Sequence, residues 1–372
     1  MKSRRRALLT LLVLAAIGAA ATMALRSPAV LADIFRHEAM RRLADPIDPD
    51  LFDGKALRVI LCGTSSPLPD PQRAKSCALV IVGDRAFVVD TGPESWKTLA
   101  LMGFPGEKIA AVLLTHFHSD HIGDLGEFAL QTWVAGRKQP LPVYGGPGVD
   151  KVVAGFNQAY ALDDGYRAAL HGPDLAPIEA AQLQAAPFRI GMADTHDESE
   201  IIFDSDGLKI TAFDVDHAPA MPAVGYRFDY GGRSAVFSGD TSKSSNLALH
   251  ANNADVLIHE AQSQRMRAIL AEAAQAAGNK VVGKILEDIE SYHTSPVQAA
   301  EVANAADVRL LVFSHFTPPL FSRLLNPLFF EGVDAVRPGS GWVAGTDGWR
   351  VDLPIGSSAI LQSQMSLSPT RW

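Results

Sequence analysis

The stretch "THFHSDHIGDL", Thr115–Leu125, sets three histidines and an aspartate into the six positions from His116 to His121. It follows directly on "AAVLLT", a short apolar run that reads as a buried strand. Open sheets carry their chemistry just past the carboxyl ends of strands. Imidazoles and a carboxylate converging in one turn suit zinc, a borderline cation that takes nitrogen and oxygen donors. Four donors from one loop cannot all reach a single tetrahedral ion and still leave it an open position. Two adjacent Zn2+ ions per chain are therefore expected, although manganese or iron accepts the same donors.

More donors should then arrive from elsewhere, and three residues stand directly after apolar strands. His217 closes "KITAFDVDH", Asp240 sits in "AVFSGDT", and His315 closes "LLVFSH". Around them "ALRVILCG" reads as a strand, "CALVIVGDRAFVVDTGP" as a hairpin turning at Gly83-Asp84 and ending at Asp90, and "AVGYRFDY" and "DVLIHEA" as further strands. Helical patterns cover "GDLGEFALQTW", "VDKVVAGFNQAYAL", Gln262–Ala277 and Ser295–Ala306, and "WVAGTDGWRVDL" reads as a late hairpin. Strands in runs with helices between them, and no fixed-period repeat, give one mixed α/β domain of sandwich type over residues 55–356. Within it residues 163–200, Ala/Pro/Asp-rich and without period, read as an excursion or lid. Residues 33–54 read as a linker and 357–372 as a tail.

The amino terminus is separate. Lys2, Arg4, Arg5 and Arg6 precede an uncharged stretch, Ala7–Leu25, of nineteen residues. That length suits a membrane-spanning helix, while Val30-Leu31-Ala32 offers a small-residue cleavage site, so residues 1–32 are either an uncleaved anchor or a removed signal. In both cases the remainder is exported, to the periplasm or another extracytoplasmic space, with the membrane a partner only if the segment is retained. Net charge is -8. Apart from the amino terminus no Lys/Arg cluster offers a groove to phosphate backbones, which argues against nucleic acid as partner. Cys62 and Cys77 lack zinc-finger spacing; each lies in or beside an apolar run and reads as a buried strand residue, with a single bridge open to them in an oxidising compartment.

"THFHSDH" resembles the metal-binding motif of the metallo-β-lactamase superfamily, and the downstream segments resemble its ribonuclease Z and arylsulfatase-like branch. The likeness runs in order from "LCGTSSPLPDPQR" through "VDH", "VGYRF", "VFSGDT", "DVLIHEA" and "YHTSPVQAA" to "FSHF" near His315. It implies an α/β fold, a four-layer αββα sandwich with a dinuclear site at one edge of two sheets. It also implies that His116, His118 and His217 hold one zinc, that Asp120, His121 and His315 hold the second, and that Asp240 bridges both. Asp120, Glu260 and His293 become the catalytic candidates, with His293 as acid and Glu260 orienting it. Asp90 in "VVDTGP" is implied to shape the metal loop by hydrogen bonding, and His259 reads as structural.

Ribonuclease Z enzymes that process tRNA typically carry a long arm between the "GYR" and "SGDT" strands. In this chain "VGYRFDYGGRSAVFSGD" is simply a hairpin turning at Gly231-Gly232. The expectation is therefore an exported metal-dependent hydrolase taking a small-molecule ester, a phosphodiester first, with a sulfate ester or lactone as alternatives. A tRNA-processing role is disfavoured, and a non-catalytic, membrane-tethered relative is the reading from another class.

Overall fold

The computed structural model describes residues 26–44, 48–190 and 198–367. The apolar stretch Ala7–Leu25 and His196 lie outside the described residues, among which no helix is long and apolar enough to cross a membrane. Contacts divide the chain into one unit of residues 1–47 and 369–372 and a second of residues 48–368. The first contributes one described helix, Pro28–Ala44. The candidate metal ligands and catalytic residues all lie in the second unit.

Fifteen strands are described in that unit: β1 (Ala56–Gly63), β2 (Cys77–Val82), β3 (Arg85–Val89), β4 (Ile109–Leu113), β5 (Leu141–Gly145), β6 (Leu183–Pro187), β7 (Ser199–Ser205), β8 (Leu208–Asp214), β9 (Val224–Tyr230), β10 (Arg233–Phe237), β11 (Val256–Gln262), β12 (Leu310–Thr317), β13 (Trp342–Ala344), β14 (Trp349–Pro354) and β15 (Leu361–Gln364). They form an eight-stranded sheet, β15-β14-β1-β2-β3-β4-β5-β6, and a seven-stranded sheet, β13-β12-β11-β10-β9-β8-β7.

Side chains alternate across a strand, so an unbroken apolar run can serve two cores at once. In β1, Leu57, Val59 and Leu61 enter the layer between the sheets with Phe87, Tyr226, Phe228 and Val312. Ile60 and Cys62 point the other way, into a layer with Phe128 of the helix Leu125–Val134 and Val153 of the helix Val149–His171. The second sheet does the same: Ile258 and Val312 face inward, while Leu257, Leu311 and Phe313 pack on Ala299, Val302 and Ala303 of the helix Pro296–Ala305. Helices outside two facing sheets make the architecture an αββα sandwich.

Two expectations need correcting. The described residues of the stretch 163–200 are not an irregular excursion: the helix that begins at Val149 runs on to His171, a short helix covers Ile178–Ala181, and β6 then adds an edge strand beside β5. Ala-rich composition sustains helix as readily as loop, and an edge strand of five residues leaves no visible period. The segments 33–54 and 357–372 are also not plain linker and tail. The first holds part of the helix Pro28–Ala44 and a 3-10 turn at Pro49–Phe52 that buries Leu51; the second contributes β15, paired to β14.

Cys62 and Cys77 are the buried strand residues expected, and they take the single bridge left open to them. Gly63 pairs with Cys77 across β1 and β2, which brings Cys62 and Cys77 to a Cα–Cα distance of 4.9 Å, and the two form a disulfide. The bridge closes a loop of sequence separation 15. Loop-closure entropy for that length is worth about 3 kcal/mol. The double variant Cys62→Ala/Cys77→Ala is expected to lose about 3 kcal/mol in urea unfolding, with the slope on urea equal or slightly steeper as the released denatured chain expands. An unchanged midpoint would mean that strand pairing already restricts the denatured chain.

Candidate metal centre

The site lies where strands of both sheets end. Asp90 follows β3, the His116–His121 loop follows β4, His217 follows β8, Asp240 follows β10, Glu260 lies in β11, and His315 lies in β12. The parallel trio β10, β11 and β12 brings three of these ends to one edge. His315 has φ 48, in the left-handed region, and the register of β11 with β12 shifts across it, from Glu260↔Ser314 to Ala261↔Phe316. A bulge of this kind re-aims one side chain that the regular pleat would send elsewhere.

Six donors converge in two sets, each close enough to share an ion: His116, His118 and His217, and Asp120, His121 and His315. Asp240 stands between them. Its Oδ2 is 3.9 Å from His116 Nε2, 3.9 Å from His217 Nε2, 3.4 Å from His121 Nε2 and 3.3 Å from His315 Nε2. Asp120 Oδ2 lies 3.2 Å from His315 Nε2 and 3.5 Å from His121 Nε2. All of these side chains are buried except His118, which is half-buried.

Outer contacts fix which nitrogen faces inward. Asp90, at φ 61, accepts from the Thr115 backbone N–H at 2.8 Å and from the Thr115 hydroxyl at 2.9 Å, and it takes the Nδ1–H of His121 at 2.8 Å. The Thr115 oxygen in turn lies 3.1 Å from His116 Nδ1. His217 gives its Nδ1–H to the carbonyl of Tyr292 at 3.2 Å. Each ring thereby turns Nε2 to the centre, the arrangement that raises a histidine's strength as a ligand.

Burial pushes His116 well below the usual histidine range and His217 down to about 4, so both are neutral donors. Burial would also lift Asp120 and Asp240, but the surrounding imidazoles outweigh it: His121 and His315 hold Asp120 at about 2, and His315, His121 and His116 hold Asp240 well below the carboxylate range. Two observations show that the set fits metal ions. His217 Nε2 is buried with no hydrogen-bond partner, and His121 Nε2 and His315 Nε2 are turned to each other at 3.3 Å beside the carboxylates of Asp120 and Asp240, a donor set of the kind a cation binds.

Glu260 and His293 stand beside this cluster. Glu260 Oε1 accepts from the backbone N–H groups of Thr241 at 3.0 Å and Thr294 at 3.3 Å, and it takes His293 Nδ1–H at 2.9 Å. Burial would lower His293, but Glu260, Asp240 and Asp120 raise it to about 9. Its centroid is 5.2 Å from the His217 ring and 5.7 Å from that of His315. His259 is fully buried with Nδ1 on a backbone carbonyl, away from the ligand sets.

Tyr292 escaped the sequence reading. It stacks on His217 with centroids 3.8 Å apart, and its hydroxyl lies 3.5 Å from His118 Nε2. Its place beside His293 in "YHTSP" was the available signal. Gly92 is another: a Cβ there would stand 2.2 Å from the Asp120 carbonyl oxygen and 2.7 Å from the Lys75 carbonyl carbon. Gly92→Ala must shift the Asp120 backbone, so a loss of roughly 10- to 100-fold in metal affinity is expected. Competition with a chelator measures it, and wild-type affinity would show that the loop yields elsewhere.

Two facing sheets flanked by helices, with five histidines and two aspartates at their common edge, define a metallo-β-lactamase fold. The family model described as "Beta-lactamase superfamily domain" matches residues 85–316, and the chain belongs to the metallo-β-lactamase superfamily, on its ribonuclease Z-like branch. It is 36% identical over 270 residues to a "Ribonuclease Z" of Mycobacterium bovis, covering 71% of this chain and 87% of that one. Among solved structures, the short form of human tRNase Z matches with TM-score 0.57 at 18% identity, over 80% of this chain and 100% of the other. A diphosphatase from the PhnP family matches with TM-score 0.54 at 16% identity, over 80% and 99%.

Proposed function

We propose that this chain is an exported, dinuclear metallo-hydrolase that cleaves a small ester, a phosphodiester before others. The observation that carries the reading is the shared Asp240 oxygen, within 3.9 Å of histidines from both ligand sets, with His293 held on Glu260 alongside. His116, His118 and His217 would hold one zinc ion, and Asp120, His121 and His315 the other. Bound there, the two ions would acidify water and polarise the ester while charge develops on it.

The residues divide the remaining work. Asp90 and Thr115 keep His116 and His121 turned inward, and Tyr292 does so for His217. Glu260, pinned by two backbone N–H groups, holds the Nδ1–H of His293, so that the Nε2 proton is the one free to pass to the departing oxygen. As that oxygen leaves with the electron pair of the broken bond, the proton neutralises it. His293 becomes neutral and is recharged from solvent.

Ribonuclease Z relatives raise tRNA as a substrate. Against it, β9 and β10 are joined by only Gly231 and Gly232, so no arm extends there, and the net charge of -8 repels a polynucleotide. Export is supported by the basic and apolar amino terminus and by the Cys62–Cys77 disulfide, which persists in oxidising compartments. The test is a matched panel of bis(4-nitrophenyl) phosphate, 4-nitrophenyl sulfate, an acyl lactone and a precursor tRNA. Turnover of the diester with intact tRNA is expected. Efficient tRNA cleavage, or turnover of the sulfate alone, would overturn the assignment.

A further inference from the structure

The helix Lys280–Asp288 lies in a stretch where the sequence reading placed no element. Its apolar residues Val282, Ile285 and Leu286, continued by Ile289, recur at the spacing of one helical face, with Lys284, Glu287 and Asp288 off that stripe. The stripe does not close into the core. Leu286 is buried, but Ile285 remains 54% exposed and Val282 39%. Instead these four residues line a cleft of about 200 Å³ together with His118, Asp240, Tyr292 and His293 of the metal centre. Pro67 and Leu68 add to its apolar lining, and Ser66 and Thr317 add a hydroxyl each. No Lys or Arg lines the cleft, and the nearby Lys75 ammonium is engaged by the carbonyls of Ser66 and Leu68.

A cleft that shares its lining with the metal donors is filled by whatever presents its ester to them. Apolar cavities of about 150 Å³ accept a benzene ring, so this one has room for an aryl ring or a short alkyl chain. A sugar or a second phosphate lying on this helix would lose its water against Val282, Ile285, Leu286 and Ile289, side chains that offer neither donor nor charge in exchange, because the polar groups of the cleft belong to Ser66, Thr317 and the residues of the metal centre. On the reading of the site as an ester hydrolase, we propose that its substrate carries an uncharged apolar substituent, which lies on this helix while the reacting ester reaches His118, Asp240 and His293. The helix Lys280–Asp288 is then the specificity element.

Methyl 4-nitrophenyl phosphate and hexyl 4-nitrophenyl phosphate share the leaving group and the bond broken, and differ only in the alkyl group. The wild-type enzyme is expected to favour the hexyl ester about 100-fold in kcat/KM. Ile285→Asp and the milder Ile285→Ser should cut that ratio below about 10-fold. Leu249→Asp, a charge placed at a 63% exposed position outside the cleft, should leave it intact. Equal kcat/KM for the two esters, or a ratio unchanged by both Ile285 variants, overturns the proposal. Calorimetric binding of hexylphosphonate against methylphosphonate separates it from the hydrolase assignment. If neither ester turns over, the assignment fails, while tighter hexylphosphonate binding that Ile285→Asp abolishes still supports the apolar subsite, and equal binding overturns it. Sedimentation decides the rival occupant: a dimer dissolved by Ile285→Asp, with no alkyl preference, assigns the face to a second copy and overturns the proposal.

Discussion

Asp240→Ala is expected to lower kcat/KM on bis(4-nitrophenyl) phosphate by about 10^4-fold or more, and to strip the chain of one or both ions, while the sandwich stays folded. The size follows from where the carboxylate sits. A single oxygen, Oδ2, faces four imidazole nitrogens drawn from both donor sets, at 3.3 to 3.9 Å. Truncation removes the carboxylate that histidines of both sets share, and so leaves two half-sites. The fold survives because Asp240 follows β10 instead of contributing to its core, which is built from Ala235, Val236 and Phe237. Asp240→Asn keeps the shape and removes the charge, and should lie between wild type and alanine in metal affinity. Wild-type turnover in either variant would sink the shared-ligand geometry.

The second large effect depends on the leaving group. His293→Ala should slow diesters with alkyl alcohol leaving groups by about 10^2- to 10^4-fold, yet slow nitrophenolate release by less than about 10-fold. Nitrophenolate leaves as a stable anion and needs no proton, whereas an alkoxide must be protonated as it departs. A purely structural role for His293 would depress both substrates alike. Glu260→Gln adds a control, since the amide oxygen can still accept from Thr241, Thr294 and His293 but no longer holds the ring's charge. It should show the same leaving-group pattern, weaker. Equal losses on both classes in both variants would remove the proton donor from the mechanism.

How much of this was legible in the sequence depends on how local each feature is. The runs "ALRVILCG", "CALVIV" and "LLVFSH" announced strands because parallel and central strands buried on both faces are apolar throughout. The αββα architecture and all seven donors came from the ordered motifs of the superfamily, and the structure gathers those donors at one edge. Features created by pairing were harder. Cys62 and Cys77 meet only because β1 lies against β2, which no spacing rule reveals. The run 163–200 hid a helix end and β6 because its alanines fit helix, strand or loop. The helix Lys280–Asp288 was a different kind of miss, since its apolar residues do recur at helical spacing and the signal was present.

The most direct test of the central claim is a titration of metal-depleted protein with Zn2+, following bound metal and bis(4-nitrophenyl) phosphate turnover together. Two donor sets sharing Asp240 predict two ions per chain, with activity rising as the second binds. Full activity with a single ion bound, or two ions and no hydrolysis of any ester in the panel, would contradict it.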